Sequence, residues 1–317
     1  MSNITSKYFF GLEKGSTIYT ATDAGWINGH TYAFYGPLLA GAISIINECP
    51  LAISLPRFLS KYLCELKVDC FYSSVTLLRI IKSLCKKGQL IKDFYTWDRS
   101  LERIGSCGEP LAHDVGEWAI SFFKPIRKSI VNTYFQTETG GVLTAPRDED
   151  GNFNDLSCVG RPRKELNIFL AKDVLSRKEI SDELLNPEEL LVGNYFSGIF
   201  KEVISDRKTN YFTKSGYFRL NDVGFFDKNG YLYIGGRSDD VINVSGHRIS
   251  SSEVESICLS IEQVKEACAV SRNNEISGCK VILFISTTLC DAKSHLRLKD
   301  TIKKKIKLKL SIYHLPE

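Results

Sequence analysis

Two stretches set the strongest limit on how this chain folds. Leu101-Glu102-Arg103-Ile104-Gly105-Ser106-Cys107-Gly108-Glu109-Pro110 reads as a strand ending in a glycine turn ahead of a helix. Ser129-Ile130-Val131-Asn132-Thr133-Tyr134-Phe135-Gln136 reads as a second strand, running into the polar loop Thr137-Glu138-Thr139-Gly140-Gly141. Strands that alternate with helices build a parallel sheet, and ligands collect at the carboxyl ends of such strands. Thr17–Thr20 supplies a further strand, followed by a polar loop and the small-residue run Tyr35–Ala42. The apolar spacing of Phe58, Leu59, Tyr62, Leu63 and Leu66 predicts a helix over 57–70, and a second helix reaches about Lys86. From about 159 to 236, short strands with turns such as Lys228-Asn229-Gly230 predict a β-rich subdomain.

The run Gly236-Arg237-Ser238-Asp239-Asp240-Val241-Ile242-Asn243-Val244-Ser245-Gly246-His247-Arg248 then breaks the pattern. Two arginines, adjacent acids and a Ser-Gly pair suit a mobile joint beside an anionic ligand better than a packed core. A small α+β unit follows. Ser250-x-x-Glu253 forms a capping box for a helix near 251–259, strands are expected over 264–270 and 280–286, and a basic helix over 292–310. With 317 residues, 43% of them hydrophobic, the chain can fill two cores.

Composition removes several function classes. A formal net charge of +4 is weak for a nucleic-acid binder, and Lys303-Lys304-Lys305 reads as the solvated face of a helix. The ten cysteines form no CxxC or CxC unit and no Cys/His cluster with ligand spacing, so reduced, mostly buried thiols are expected. No apolar run approaches the roughly 20 residues of a membrane helix. The start has no charged segment feeding an apolar one, which makes the cytoplasm the expected compartment. No GxSxG elbow occurs, and the five histidines have no partner identifiable by spacing, so a serine or cysteine hydrolase ranks last.

Four further segments carry chemistry. In Thr137-Glu138-Thr139-Gly140-Gly141 a hydroxyl and a carboxylate stand together on a glycine loop, able to serve a phosphate and its magnesium ion, or to form a threonine-rich turn. Gly108-Glu109-Pro110 offers close backbone approach and a flat apolar ring, and equally an ordinary turn that opens a helix. Asp222, in Arg219-Leu220-Asn221-Asp222-Val223-Gly224, can accept two hydrogen bonds at once or close an Asx turn. Arg237 presents a guanidinium fork to phosphate, or pairs with Asp240 at the surface.

Taken in order, these segments resemble the AMP-forming acyl-CoA synthetases of the adenylate-forming superfamily, and the acetyl-CoA synthetase branch in particular. The resemblance runs from Thr17 to the last residue. It implies an α/β fold: the carboxyl-terminal half of a large AMP-binding domain over 1–236, joined by a hinge at Asp239 to a small α+β domain over 237–317. It implies that Gly108, Glu109, Pro110, Asn132, Thr133, Tyr134, Phe135, Gln136 and Thr137 surround ATP or AMP, with Glu138 holding Mg2+. Asp222 matches the ribose ligand, although the family usually has glycine where Asn221 stands. Arg237 and Arg248 match nucleotide contacts. Asn28, Ser245, Gly246 and Lys307 fall at CoA positions, Asn28 where a threonine is common. Trp26, Ile27, Cys107 and Phe135 match the acyl pocket. Phe135 replaces the tryptophan of acetyl-specific members, leaving room for a somewhat longer acid. Leu259, Ile261 and Val264 match a cation site of backbone carbonyls, with Ile261 in place of the usual histidine.

The family joins a small carboxylic acid to CoA through an acyl-adenylate, with release of AMP. Its glycine-rich phosphate loop lies ahead of the segment matching Asp23, and its terminal lysine follows a Pro-x-x-x-Ser-Gly-Lys context; the sequence contains neither. The expectation is therefore a chain truncated at both ends and impaired in the ATP-dependent step, either the remnant of a broken gene or one piece completed by a separate N-terminal half. The competing expectation is a non-catalytic nucleotide-binding or interaction module.

Overall fold

A computed structural model describes residues 1–48, 63, 65–86, 101–127, 129–147, 155–175, 188–202, 211–238, 240–244, 247–274, 278–310 and 314–316. Contacts divide the chain into two units. The first comprises Met1–Phe169, Leu191–Leu220 and Phe226–Tyr233, the second Leu170–Leu190, Asn221–Phe225 and Ile234–Glu317.

The first unit is built on a parallel sheet of order β2-β1-β3-β4-β5, formed by β1 (Thr17–Ala21), β2 (Ile43–Ile45), β3 (Cys70–Ser74), β4 (Arg103–Cys107) and β5 (Ile130–Asn132). Register places Tyr19 beside Phe71, Phe71 beside Ile104, and Ile104 beside Ile130. Because successive side chains leave opposite faces of a strand, neighbours sort into two cores. Tyr19, Phe71, Ile104 and Ile130 pack with Leu78 and Ile81 of the helix Val75–Lys86 and with Ala119 and Phe123 of the helix His113–Phe123. Ile18, Cys70, Tyr72 and Val131 pack on the other face with Phe9 and Phe10 of the helix Ser2–Phe10 and with Tyr32.

This two-sided burial corrects one expectation. Of the predicted helix over 57–70, residues 57–62 and 64 lie outside the described residues, and its last residue, Cys70, begins β3 instead. A strand covered on both faces has no polar–apolar alternation to mark it. The helix Ser2–Phe10 is likewise absent from the sequence reading; its Phe9 and Phe10 are each 2% exposed.

The β-rich region expected before residue 236 is present as a four-stranded sheet of order β6-β7-β8-β9, formed by β6 (Ile168–Leu170), β7 (Glu189–Val192), β8 (Phe218–Phe226) and β9 (Leu232–Arg237). Within the second unit, β10 (Val241–Val244), β11 (His247–Ser250), β12 (Val264–Asn274) and β13 (Gly278–Thr287) form an antiparallel sheet of order β11-β10-β13-β12. Its core joins Ile249, Val254, Cys258 and Val281 to Leu298, Ile302 and Ile306 of the helix Ala292–Lys309. Asp291 caps that helix by accepting from the Ser294 amide at 2.8 Å.

The helix Ser251–Leu259 lies where the sequence puts it, but Ser250 does not close the expected capping box. Its hydroxyl bonds the Gly235 carbonyl instead and lies 2.7 Å from the Ser252 hydroxyl, which also donates to Gly235. A cap and this bond compete for one hydroxyl, and the strand carbonyl takes it.

Candidate functional site

The carboxyl ends of β3, β4 and β5 share one buried polar network. Thr133 Oγ1 donates to the Ser106 carbonyl at 2.8 Å, so its single proton is spent and the Tyr72 hydroxyl, 2.7 Å away, is the donor between those two. Ser106 Oγ donates to Asn132 Oδ1 at 3.0 Å. Asn132 Nδ2 in turn reaches the carbonyls of Leu156, Ser157 and Cys158. Asn132 and Thr133, expected at the nucleotide, thus hold strand ends and the 156–158 segment in place with their side chains.

Cys107 ends β4 beside this network, and Asn28 Nδ2 approaches its sulfur at 3.0 Å. Burial pushes the Cys107 thiol up to about 11 and Tyr72 well above its ordinary value, so both are neutral at pH 7. Neutral Cys107 is no nucleophile. Phe135 packs against the core cluster that contains Cys107 and meets Tyr32 edge-on, with ring centroids 6.1 Å apart. Of the other residues expected at the acyl group, Ile27 is half-buried and Trp26 is 68% exposed. Asn28, expected at CoA, is buried, and among the described residues its Oδ1 has no hydrogen-bond partner.

Gly108, Glu109 and Pro110 are exposed just past β4. The Glu109 carboxylate turns back to the helix Val75–Lys86, bonding Thr76 and Arg79. Tyr134 bridges antiparallel to Thr144.

After β5, Thr137–Thr139 forms one 3₁₀ turn, closed by the Thr139 hydroxyl against the Gln136 backbone. The Gln136 side chain reaches the Leu220 carbonyl on β8. Thr137 is exposed and Glu138 half-buried. The Glu138 carboxylate accepts from Tyr211 Oη at 3.2 Å, and the Glu138 carbonyl accepts from the Phe200 amide at 3.2 Å. Among the described residues, no lysine or arginine pairs with this carboxylate. Gly140 has φ of +66°, and a Cβ there would stand 2.8 Å from the Gly198 carbonyl oxygen. A Cβ on Gly198 would stand 2.4 Å from the Thr139 carbonyl oxygen. Two glycines therefore let the 137–141 loop and the 196–200 turn touch backbone to backbone. Gly198 and Tyr211 carry no motif, and sequence reasoning passed over both.

In the second unit, Asp222 is 7% exposed, with its Oδ1 3.5 Å from Arg237 Nη1. Asn221 has φ of +52°, in the left-handed region, and its carbonyl accepts from the Ser238 amide at 2.8 Å. This backbone explains the glycine expected there, since asparagine is among the few other residues that enter this conformation readily. Asn221→Gly should leave thermal stability unchanged or raised. Asn221→Val should cost about 1–2 kcal/mol in urea unfolding, because a β-branched side chain is strained at positive φ.

Asp239, Ser245 and Gly246 lie outside the described residues. Arg248 falls on β11, paired in register with Asn243. Lys307 is exposed on the helix Ala292–Lys309. Leu259, Ile261 and Val264 surround a turn in which the Ile261 carbonyl accepts from the Val264 amide at 2.9 Å. Lys305 Nζ donates there to the Ser260 carbonyl and hydroxyl, at 3.2 and 2.7 Å. An ammonium already stands at this turn. Among the described residues, no group of three or more His, Cys, Asp or Glu side chains could hold a metal ion, and no helix is long and apolar enough to cross a membrane.

A family model described as AMP-binding enzyme matches residues 1–180 of this chain. The chain belongs to that family. It is 31% identical over 312 residues to the acetyl-coenzyme A synthetase of Vibrio parahaemolyticus, covering 96% of this chain and 46% of that protein. It is 32% identical over 292 residues to acetyl-coenzyme A synthetase 1 of Debaryomyces hansenii, covering 89% and 42%. The chain spans about half the length of the curated relatives it matches. Among solved structures, the anthranilate CoA ligase AuaEII in complex with anthranoyl-AMP matches with a TM-score of 0.75 at 18% identity, covering 97% of this chain and 56% of that one. The o-succinylbenzoate CoA synthetase of Bacillus subtilis, in complex with its acyl-adenylate intermediate, also scores 0.75, at 19% identity, covering 99% and 59%. The family's adenylate-forming fold is therefore the fold of this chain.

Proposed function

We propose that this chain is the carboxyl-terminal part of an AMP-forming short-chain acyl-CoA ligase that acts on acetate or a slightly longer acid. The observation carrying this reading is the span of the resemblance: the acetyl-coenzyme A synthetase of Vibrio parahaemolyticus matches over 96% of the chain. The acid carboxylate attacks the α-phosphorus of ATP, the bond to the β-phosphate oxygen breaks, and pyrophosphate leaves. The CoA thiolate then adds to the acyl-adenylate carbonyl, and the mixed-anhydride bond breaks to release AMP.

Each motif takes one part of this task. Thr137, exposed on its turn, donates to the α-phosphate. Asp222 accepts both ribose hydroxyls, and Arg237, 3.5 Å from that carboxylate, presents its fork to ribose and phosphate. The donor set at the Thr137–Glu138 turn fits Mg2+, being made of hard oxygens with a carboxylate that no described cation neutralises. When bound, the ion offsets negative charge on the phosphate oxygens. Phe135 bounds the acyl group, and its smaller ring accommodates propionate beside acetate.

Completion by a further polypeptide, equivalent to the relatives' first half, belongs to the same reading. Exposed apolar side chains gather on one early stretch of the first unit: Trp26, Phe34, Tyr35, Leu38, Leu39, Ile43 and Ile46. This stretch contains β2, an edge strand of a parallel sheet. Edges and apolar faces of that kind are normally covered.

The experiment supplies the chain with synthetic acetyl-adenylate and CoA, so that the ATP-dependent step is bypassed. Release of acetyl-CoA above the uncatalysed rate is expected, with propionyl-adenylate also used and Phe135→Trp restricting the chain to acetate. AMP binding without thioester formation would overturn the catalytic reading of the chain.

A further inference from the structure

From the surroundings of Glu138 we infer that Tyr211 is a positioning residue, which fixes the Glu138 carboxylate for a divalent cation carried by the nucleotide. This rests on the proposed role of Glu138 as the metal ligand. The Tyr211 hydroxyl donates to Glu138 Oε1 at 3.2 Å. Among the described residues nothing bonds Oε2, so one oxygen is anchored by the protein and the other is left to a cation. A glutamate at a half-buried position otherwise samples several rotamers, and ordering it on binding costs conformational entropy.

Tyr211 is itself well held. Its carbonyl accepts from the Arg219 amide at 2.8 Å, tying it to β8. Its ring stands edge-on to Phe200, with centroids 4.9 Å apart at 84°, and nearly parallel to Phe218, at 6.4 Å and 7°. Phe218 is fully buried. Phe200 also donates its amide to the Glu138 carbonyl, so one aromatic cluster grips both backbone and side chain of Glu138. The tyrosine thus couples the sheet to the carboxylate whose other oxygen would face the metal, in the way outer partners orient metal ligands.

The test titrates MgCl2 into the full chain with ATP and reads nucleotide affinity by calorimetry, alongside melting temperature. Tyr211→Phe keeps the ring and removes only the hydroxyl. It should retain the wild-type melting temperature and Mg2+-free ATP affinity, while the Mg2+ concentration for half effect rises roughly 10-fold. Glu138→Gln should abolish the Mg2+ effect altogether. Superimposable Mg2+ titrations for Tyr211→Phe and wild type would overturn the proposal. Equal loss of melting temperature and Mg2+-free affinity would overturn it too, by showing a packing role. A wild-type chain that binds ATP with no response to Mg2+ would remove Glu138 as the metal ligand, and the positioning role with it.

Discussion

Gly198→Ala is expected to weaken Mg2+-dependent nucleotide binding about 100-fold, although Gly198 belongs to no recognisable motif. The new Cβ would stand 2.4 Å from the Thr139 carbonyl oxygen and 2.7 Å from the Phe196 ring. Side-chain carbons do not approach backbone oxygens so closely, so backbone must shift. Either the 196–200 turn recedes or the Thr137–Thr139 turn does, and both carry ends of the Phe200–Glu138 hydrogen bond. Overpacking of this kind costs about 1–3 kcal/mol of stability. The loss in binding should be about 100-fold, because a displacement near 1 Å at a positioned group is enough for that. Lys201→Ala, on the same segment but exposed, serves as control and should bind as wild type. Calorimetry with MgATP, paired with urea unfolding, separates the two effects. Wild-type affinity in Gly198→Ala would show that the contact between the two loops does not set the position of Glu138.

That prediction marks where sequence reading stops. The ends of β4 and β5 were legible because each apolar run breaks into glycine and polar residues, a local signal that needs no partner. β3 was not legible, since burial on both faces leaves Cys70-Phe71-Tyr72 without alternation. Tyr211 and Gly198 were invisible for a different reason. Each acts on the Thr137–Gly140 loop from far along the chain, through one hydroxyl or through the absence of a Cβ, and neither leaves a periodic trace. Ser250 shows the converse: the capping pattern is written in the sequence, yet the Gly235 carbonyl takes the hydroxyl. Asn28 matches a CoA position by resemblance, and the contact of its amide with the Cys107 sulfur leaves no sequence signal. Asn221 falls between these cases. Its departure from glycine was readable in the sequence, but its meaning came only with φ of +52°.

Asp222→Ala should cost nucleotide affinity on the order of 3 kcal/mol, roughly 100-fold, with little change in folding stability. The binding figure follows from losing two hydrogen bonds to an ionised acceptor, each worth about 1.5–3 kcal/mol. Stability is spared because of the asymmetry of the pair. Asp222 is the buried member, whereas the Arg237 side chain is 44% exposed and stays hydrated once its partner is gone. Removing the carboxylate therefore relieves one desolvated charge and leaves the Arg237 guanidinium hydrated, unlike the loss of one partner from a fully buried pair. The decisive comparison uses AMP against 2′-deoxy-AMP. Wild type should prefer the ribonucleotide clearly, and Asp222→Ala should bind both with the same weak affinity, since the group that reads the hydroxyl is gone. Asp222→Asn should fall between the two, because its amide keeps one acceptor oxygen but lacks the charge. If Asp222→Ala still discriminates between the two sugars, the ribose is held elsewhere, and the half-exposed Asp222–Arg237 pair serves only the packing of β8 and β9.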